Sequence, residues 1–377
     1  MDRNLIIAGG GIGGMAAALA LYRAGLGFSL YERAPAFAEV GAGMSLWPNA
    51  TRVLKTLGVL DQLMAVSEPV SQFNLLRPDG RMISAIGMGG YATPALCLHR
   101  ADLHRCLRGP LPADCIVGGQ RLISFAQDAD GVTAKFASGL EVAAAGLIGA
   151  DGINSIVRTQ LLGTVSPAYR GYCIWRGIAS DSEGIVRGHI SETWGAGQRF
   201  GILPMGGGRI CWYATRNCPP SRPDAPEGRK HEVLQLFKDW HRPIPALIEA
   251  TDESMIMKND AQDRQPLGRW GRGCVTLLGD AAHPITPNVG QGACMAIEDA
   301  ACLTKSLLAA PGIAAAFYSY EAKRKRRTAY VGRQSRRIGA IGQWENRWMV
   351  SGRNFVTRLV LSHTAEMGLN AVYAYEV

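Results

Sequence analysis

The chain opens with an apolar run, a glycine turn and a second apolar run. Asn4 to Ala8 predict a buried strand, and Met15 to Ala24, rich in alanine and leucine, predict a helix that ends near Gly25. Gly27 to Tyr31 predict a second strand. Strand, turn, helix and strand in this order indicate a unit of an open α/β sheet.

The middle of the chain alternates apolar and polar positions with period two. Tyr172 to Ile178, Arg199 to Leu203 and Arg209 to Thr215 therefore predict strands of a second sheet, and Gly206-Gly207-Gly208 predicts the hairpin turn between two of them. Alternate side chains point to one face of such a sheet. Among the residues of one predicted face are Arg199, Gly201, Cys211 and Tyr213.

Two further apolar runs end in acids. Leu140 to Ala150 predict a strand that ends at Asp151, and Gly273 to Leu278 predict a buried strand that brings Asp280 to its carboxyl end, the edge where open α/β sheets bind ligands. A helix from Gly292 to about Leu308 follows.

The C-terminal region is basic and then amphipathic. Lys323 to Arg327, followed by Arg333, Arg336 and Arg337, predict a solvated basic helix face; nucleic-acid or membrane binding is the less favoured alternative. Trp344 to Leu361 predict an amphipathic helix that packs on the rest of the chain or on a partner subunit, or contacts a membrane if the substrate is lipophilic.

Composition narrows the class of protein. The 377 residues are 47% hydrophobic and 19% charged, with a net charge of +9, as expected of a globular protein whose charge suits anionic ligands. The nine cysteines are scattered and form no CxxC pair, so neither a disulfide framework nor a metal site is predicted. Unpaired cysteines are typical of a reducing compartment, and we therefore expect a cytoplasmic protein. The run Leu5 to Ala8 is too short for a signal peptide or an integral membrane segment, and we expect no nucleic-acid partner.

The glycine turn has the spacing of a dinucleotide site. In Gly9-x-Gly11-x-x-Gly14, the first glycine permits the tight turn, the second lets the backbone approach a pyrophosphate, and the third lets helix and strand pack closely. Glu32 follows the second strand, where an acid accepts hydrogen bonds from a ribose. The acid favours FAD or NAD over NADP.

Three segments together resemble a known family. The glycine turn with Glu32, the segment Gly149-Ala150-Asp151-Gly152 and the segment from Gly279 to Gly292 resemble the fingerprints of the single-component FAD-dependent aromatic hydroxylases, the para-hydroxybenzoate hydroxylase family or class A flavoprotein monooxygenases. Val40 to Ala50 and Leu98 to Leu103 also resemble family segments. The resemblance extends from about Leu5 to Arg326.

The resemblance implies a mixed α/β fold. It comprises a Rossmann-like, discontinuous FAD-binding domain of residues 1–70, 96–170 and 259–345, an inserted antiparallel-sheet substrate domain of residues 71–95 and 171–258, and a C-terminal helical tail of residues 346–377. The implied FAD contacts, of which Asp151 also serves the nicotinamide cofactor, are Gly9, Gly11, Ile12, Gly14, Glu32, Arg33, Arg100, Asp151, Asp280, Gly290, Gly292 and Ala293.

The implied reaction is hydroxylation of a small aromatic or heteroaromatic substrate. NADH or NADPH reduces tightly bound FAD, O2 forms a C4a-hydroperoxyflavin, and its distal oxygen passes to an electron-rich ring. Because the chain has one GxGxxG, NAD(P)H is expected to dock transiently on the surface or in the same cleft. The protein is expected to be a monomer or homodimer. The alternatives are an isoprenoid epoxidase of the same family and a non-catalytic FAD-binding interaction protein.

Substrate contacts are predicted at Trp47, Arg199, Cys211, Tyr213 and Pro287, and catalytic candidates are Arg199, Tyr213 and Asn288. Arg199 either binds an acidic or enolic oxygen or lies on an exposed edge strand. Relative to the branch that resembles urate hydroxylases, Cys211 and Asn288 replace a tyrosine and an aspartate, which argues against urate. His283 is expected to be structural rather than a catalytic base.

Overall fold

The computed structural model describes residues 4–36, 42–129, 131–180 and 186–377, and of residues 360–371 only the backbone. Val40 and Gly41, the start of one family-like segment, lie outside the described residues. The strands are β1 Leu5–Ala8, β2 Phe28–Tyr31, β3 Gly43–Leu46, β4 Glu68–Val70, β5 Gln72–Leu76, β6 Met82–Gly87, β7 Ala95–His99, β8 Ile116–Val117, β9 Leu122–Gln127, β10 Val132–Phe136, β11 Glu141–Ala144, β12 Gly146–Gly149, β13 Ala168–Ser180, β14 His189–Trp194, β15 Gln198–Met205, β16 Arg209–Asn217, β17 Met257–Asp263 and β18 Val275–Leu277. The helices are α1 Ile12–Arg23, α2 Pro48–Thr56, α3 Leu60–Val66, α4 Arg100–Arg108, α5 Ile156–Leu162, α6 Arg229–Phe237, α7 Ile244–Glu249, α8 Gly292–Ala309, α9 Ile313–Gly342 and α10 Arg347–Tyr373.

A five-stranded parallel sheet forms the first layer, in the order β18-β12-β1-β2-β8. Its central strand β1 is fully buried, and α1 is buried continuously from Gly14 to Leu21. A parallel strand that is covered on both faces has a near-continuous apolar sequence, and so does a helix that is buried on all sides; β1 and α1 show these two patterns. The carboxyl ends of β1, β2, β12 and β18 meet at one edge of this sheet.

A seven-stranded sheet forms the second layer, in the order β17-β13-β16-β15-β14-β5-β6. Its pairings are antiparallel except that β14 runs parallel to β5. One face packs against α6 and α7 through Trp175, Trp212, Phe200 and Phe237. The opposite face, on the alternate residues, is turned toward the parallel sheet.

The structure corrects two of the expectations for secondary structure and surface. Leu140 to Ala150 is not one strand: β11 pairs with β10 in a three-stranded sheet, and β12 joins the parallel sheet. The basic segment of α9 is not a fully solvated face, because Arg324 and Arg327 are buried and pair with Glu298. The helix amphipathy was too weak to reveal partners that come from α8.

Candidate functional site

The glycine turn after β1 excludes side chains at two of its positions. A Cβ at Gly14 would lie 1.9 Å from the carbonyl oxygen of Gly9, and a Cβ at Gly9 would lie 2.5 Å from that of Ala150. Gly9 also has a φ of +108°, which side chains rarely adopt. At Gly11 the nearest neighbour of a Cβ would be the Arg100 guanidinium, 4.0 Å away. The turn therefore leaves its middle glycine open to a ligand.

Glu32 lies beside this turn, just after β2. Its carboxylate accepts hydrogen bonds from the backbone N–H groups of Gly10 at 2.6 Å and Ala34 at 3.0 Å. A ring nitrogen of His104 lies 2.8 Å from the carbonyl oxygen of Gly10, so α4 is tied to the same turn. Arg33 is exposed. Backbone hydrogen bonds thus fix the acid at the carboxyl edge of the parallel sheet.

Asp151 follows β12 at the same edge. Its Oδ2 accepts hydrogen bonds from the N–H groups of Ile156 at 2.7 Å and Val157 at 3.3 Å, at the start of α5. Burial raises the pKa of the Asp151 carboxyl, and these hydrogen bonds oppose the rise. Ser155 is the N-cap of α5, and Asp151 accepts from the first two N–H groups of the helix, which holds the loop between β12 and α5 in place.

Asp280 follows β18 and projects into the space between the two sheets. Its side chain is exposed to this space. Desolvation by the surrounding protein nevertheless raises the pKa of its carboxyl, while the charges of His283 and Arg100 act to lower it. Arg100, at the start of α4, reaches the same space. A carboxylate and a guanidinium therefore line one end of it.

His283 belongs to a buried ion cluster outside that space. Its Nε2 lies 2.5 Å from Asp299 Oδ2, and Asp299 also accepts from the Gly279 N–H at 3.0 Å and pairs with Arg324 at 2.6 Å. Burial acts to raise the pKa of Asp299, but His283 and Arg324 lower it to about 2. The cluster fixes the turn that carries Asp280, so the geometry gives His283 a structural role.

The second glycine-rich segment closes another wall. Gly290 has a φ of +60°, and a Cβ there would lie 2.7 Å from Ser45 Oγ and 2.8 Å from Trp47 Nε1. Gly292 begins the 18-residue helix α8, and a Cβ there would meet nothing within 4 Å. The free backbone N–H groups of a helix start carry partial positive charge. This end of the space therefore favours a negatively charged or electron-rich group.

One cavity of about 900 Å³ joins the glycine-rich turns to the inner face of the seven-stranded sheet. The predicted site residues that line it are Gly11, Ile12, Trp47, Arg100, Arg199, Cys211, Tyr213, Asp280, Pro287, Asn288, Gly290, Gly292 and Ala293. The predicted residues outside its lining are Gly9, Gly14, Glu32, Arg33 and Asp151. Gly9 and Gly14 shape the turn. Glu32, Arg33 and Asp151 follow β2 and β12 at the carboxyl edge of the parallel sheet.

Arg199 is buried in the wall of this cavity, 2% exposed, on the interior strand β15. Its guanidinium lies 3.2 Å from Glu192 Oε1 and donates to Gln343 Oε1 at 2.9 Å and to Asn288 Oδ1 at 2.7 Å. The Tyr172 hydroxyl donates to the same Asn288 oxygen at 3.1 Å. The expectation of an exposed edge-strand arginine is therefore wrong.

Tyr213 belongs to a row of residues in register across four strands. Arg176 pairs with Tyr213, Tyr213 with Gly201, and Gly201 with Glu192. A Cβ at Gly201 would lie 2.0 Å from Tyr213 Cε1, so the tyrosine ring lies over the glycine. Burial and the nearby Glu192 raise the pKa of the Tyr213 phenol well above its ordinary value. The row places a neutral phenol between an arginine and a carboxylate.

A family model described as "FAD binding domain" matches residues 2–335. The chain belongs to this FAD-binding family. It is 42% identical over 363 residues to an aurachin C monooxygenase/isomerase of Stigmatella aurantiaca, covering 95% of this chain and 94% of that protein. It is 35% identical over 367 residues to a 6-hydroxynicotinate 3-monooxygenase of Bordetella bronchiseptica, covering 93% of each.

Solved structures agree with the family and its cofactor. The structure of Klebsiella pneumoniae HpxO complexed with FAD and uric acid superposes with a TM-score of 0.90 at 28% identity, covering 99% of this chain and 96% of that one. A point variant of HpxO, complexed with FAD, also gives 0.90 at 27% identity, covering 98% of this chain and 99% of that one. Because the chain belongs to the FAD-binding family and its relatives are monooxygenases, it is an FAD-dependent monooxygenase.

The described residues of this FAD-dependent enzyme fit the cofactor. Gly11 is open toward the cavity while Gly9 and Gly14 are closed by backbone, which suits a pyrophosphate against the start of α1. Trp47 Nε1 is buried and has no hydrogen-bond acceptor in the described part of the chain. Such a donor beside Gly290 suits a cavity that holds a polar ligand.

Sequence reasoning missed several residues of the flavoenzyme cavity. Glu192 and Arg176 lie on the same face as Tyr213, but only strand register brings them together. Tyr373 lines the cavity and stacks on Trp47, with ring centroids 4.9 Å apart. Gln343, at the end of α9, holds Arg199. The alternation predicted the strand that contains Arg176, but not the register that places this residue opposite Tyr213.

Proposed function

We propose that this monooxygenase hydroxylates a small heteroaromatic or aromatic ring that carries a neutral hydroxyl or lactam oxygen, with NADH or NADPH as reductant and O2 as the oxygen source. The observation that carries the proposal is the single cavity bounded by the glycine-rich turns on one side and by Arg199 and Tyr213 on the other. The relatives are named for oxidising 6-hydroxynicotinate, 3-amino-4-hydroxybenzoate and urate, all ring compounds.

For FAD we propose binding roles at both ends of the cavity. The glycine turn and the start of α1 would hold the pyrophosphate, Glu32 and the adjoining Arg33 the adenosine end, and Arg100 and Asp280 the ribityl region. Asp151 would hold the loop beside the cofactor through its hydrogen bonds to the start of α5. When bound, FAD supplies electron transfer from the nicotinamide and the activation of oxygen. The start of α8, at Gly292 and Ala293, would stabilise negative charge on the ring system.

For the substrate we propose that Arg199 and Tyr213 bind the ring oxygen and fix which ring atom faces the cofactor. Asn288 and Pro287 would border the ring from the loop before α8, with Cys211 against its edge. Burial raises the pKa of the Cys211 thiol to about 11, so it acts as a small apolar surface rather than a nucleophile. Trp47, stacked on Tyr373, would help to exclude water.

Urate is disfavoured as the substrate because Asn288 and Cys211 stand where the urate-hydroxylase branch has an aspartate and a tyrosine.

We place the enzyme in the cytoplasm as a monomer or homodimer. Light scattering of the purified, FAD-loaded protein would determine its oligomeric state.

Turnover with product identification tests the proposed function. FAD-loaded protein is mixed with NADH or NADPH and with hydroxypyridines, quinolones, hydroxybenzoates or purines, and products that gain one oxygen atom are identified by mass spectrometry and NMR. A hydroxylated ring product is expected, and Arg199→Gln should lower kcat/KM by roughly 10- to 100-fold. Arg216→Gln is the matched control, because Arg216 lies on the face of the seven-stranded sheet opposite to the cavity-facing residues Arg199 and Tyr213. Retained FAD with no oxygenated ring product from any class would refute the proposal.

Epoxidation of an isoprenoid double bond is the second candidate, and the apolar lining of the cavity favours it. The apolar lining residues include Phe73, Leu75, Ile86 and Met88, on or next to β5 and β6, and Ile338 of α9. Relatives include zeaxanthin epoxidases, such as that of Solanum lycopersicum at 32% identity, although the match covers only 59% of that protein. An oxygenated product that opens to a diol in mild acid, with an unchanged ring, would identify this activity instead.

A further inference from the structure

The first half of α10 carries an apolar stripe on its outer surface. Trp348, Phe355 and Leu359 follow helical spacing, with Met349 and Val356 beside them. Their exposed fractions are 87%, 65%, 51%, 46% and 55% respectively. Contiguous exposed apolar patches on soluble domains usually mark interaction surfaces. We call these five residues the α10 stripe.

Arg353 fixes the outward orientation of Trp348, Phe355 and Leu359, because at 3.6 residues per turn it lies on the far side of the helix from all three. This arginine is 4% exposed and donates to the carbonyl oxygens of Ile341 at 3.2 Å, Gly342 at 3.1 Å and Gly195 at 3.2 Å. Its guanidinium also lies 4.9 Å from the centre of the Trp194 ring. Turning the stripe inward would strip a buried cation of these acceptors, which is costly. The rings of Trp348 and Phe355 therefore remain exposed to water unless a partner covers them.

A basic edge runs along one side of the stripe. Arg347 and Arg358 are exposed and eleven residues apart, so they lie on nearly the same side of the helix, about three turns from each other. The segment from Arg347 to Leu359 contains no acidic residue. A helix face of Trp, Phe and Leu beside arginines is the composition of helices that lie in the interface of an anionic bilayer.

The stripe is continuous with the cavity. Val356 belongs to the stripe and also lines the cavity, as does its neighbour Thr357. Ile338 and Ile341 of α9 and Ile86 of β6 also line this cavity, and α10 packs against β6. The surface next to the stripe is therefore an apolar route between the outside and the site.

We propose that the α10 stripe docks on the surface of a bilayer that contains anionic phospholipid, with the apolar end of the cavity next to the membrane. In the searched, described part of the chain no helix is long and apolar enough to cross a membrane, so the contact is peripheral. Arg347 and Arg358 are complementary to anionic head groups. A two-fold dimer would instead bring two identical basic edges into one interface, which disfavours a second copy of the chain as the occupant.

Vesicle co-sedimentation tests the proposal with FAD-loaded, full-length protein. The vesicles are phosphatidylcholine alone or phosphatidylcholine mixed with phosphatidylglycerol, and the protein in the pellet is measured by flavin absorbance and by gel. We expect binding to the mixed vesicles that weakens with salt. Trp348→Ser/Phe355→Ser should weaken it by roughly tenfold or more, and Arg347→Gln/Arg358→Gln by roughly 30-fold.

Two matched controls come from α9. Tyr318→Ser removes an exposed aromatic ring, 75% accessible, and Lys323→Gln/Arg326→Gln removes two exposed cations, all outside the stripe. These variants should bind vesicles like the unmodified protein. The proposal is overturned if the protein does not sediment with anionic vesicles, if the controls lose binding equally, or if light scattering shows a dimer that Trp348→Ser/Phe355→Ser abolishes. Vesicle binding is measured without turnover, so its failure leaves the proposed function untouched.

Discussion

Replacing Gly201 by alanine tests whether the row across β13 to β16 positions Tyr213. Gly201 has an ordinary extended backbone, so the substitution adds one methyl group and no backbone strain. That methyl carbon would lie 2.0 Å from Tyr213 Cε1, 2.2 Å from Cζ and 2.7 Å from Cδ1. Since carbon atoms in contact are about 3.5 to 4.0 Å apart, the ring must move by more than 1 Å.

The free-energy cost follows from this collision. Gly201 is buried beneath the Tyr213 ring, and an added methyl in packed surroundings costs about 1 to 3 kcal/mol in stability; the lower end is expected here because the ring borders the cavity and can shift into it. Because Tyr213 lines the cavity, its displacement also moves the phenol away from Glu192 and from the substrate. We therefore expect Gly201→Ala to lower kcat/KM by at least about tenfold, since a misplacement of 1 Å can cost more than that. FAD retention should not change, because the glycine turn lies in the other sheet.

Urea unfolding followed by circular dichroism and substrate-dependent NAD(P)H oxidation measure the two effects. Gly87→Ala is the matched control: it is also a strand glycine, and a Cβ there would meet nothing within 4 Å. In a Tyr213→Leu background, which removes the ring atoms of the collision, the stability cost of Gly201→Ala should fall toward zero. Equal costs in both backgrounds, or an unaltered Gly201→Ala enzyme, would refute the reasoning.

Four further results are expected. Gly14→Ala should abolish FAD retention, because its Cβ would overlap the carbonyl oxygen of Gly9, whereas Gly312→Ala should not; absorbance after gel filtration measures both. Asp280→Ala should lower FAD affinity by roughly tenfold or more in fluorescence titration, with the exposed Asp114→Ala as control. Asp299 has a folded pKa of about 2, below the value of about 3.9 in unfolded chains, so its contribution, on the order of 2 to 3 kcal/mol, is present above pH 4 and is lost as the pH falls toward 2. Urea unfolding between pH 6 and pH 3 should show this decline beginning near the unfolded pKa, and Asp299→Asn should lack that component. Glu192→Gln should destabilise the protein by about 1 to 3 kcal/mol and lower the KM of carboxylate substrates relative to neutral ones, measured by unfolding and steady-state kinetics.

The parts of the site that are local in sequence were predictable. A GxGxxG turn, an acid after the next strand and a glycine at a helix start each carry their geometry within a few residues, so β1, α1 and α8 were placed close to their observed bounds. The relatives and the family model confirm the cofactor that these motifs predicted. The contacts of FAD with individual residues of this chain stay predictions.

The parts that depend on distant partners were not predictable. The sequence left open whether Arg199 binds a ligand or lies on the surface, because its partners Glu192, Asn288 and Gln343 come from a strand, a loop and the end of a helix far apart in the chain. Arg324 looked solvated for the same reason, since its partners lie on α8. A lone charge on a strand or helix has the same sequence pattern whether its partner is water or a carboxylate.

The charge balance around Arg199 limits what the substrate can be. A guanidinium has five N–H donors, and among the described residues Glu192, Gln343 and Asn288 engage it through three hydrogen bonds, so up to two donors remain for a ligand. Its positive charge is already matched by the buried Glu192 carboxylate, 3.2 Å away. A substrate carboxylate beside Arg199 would lie next to the Glu192 carboxylate and be repelled by it, whereas a hydroxyl or lactam oxygen would accept the remaining N–H groups without that repulsion. A carboxylate elsewhere on the ring would face Arg176, which lines the same cavity. We therefore propose that Arg199 binds a neutral oxygen of the ring.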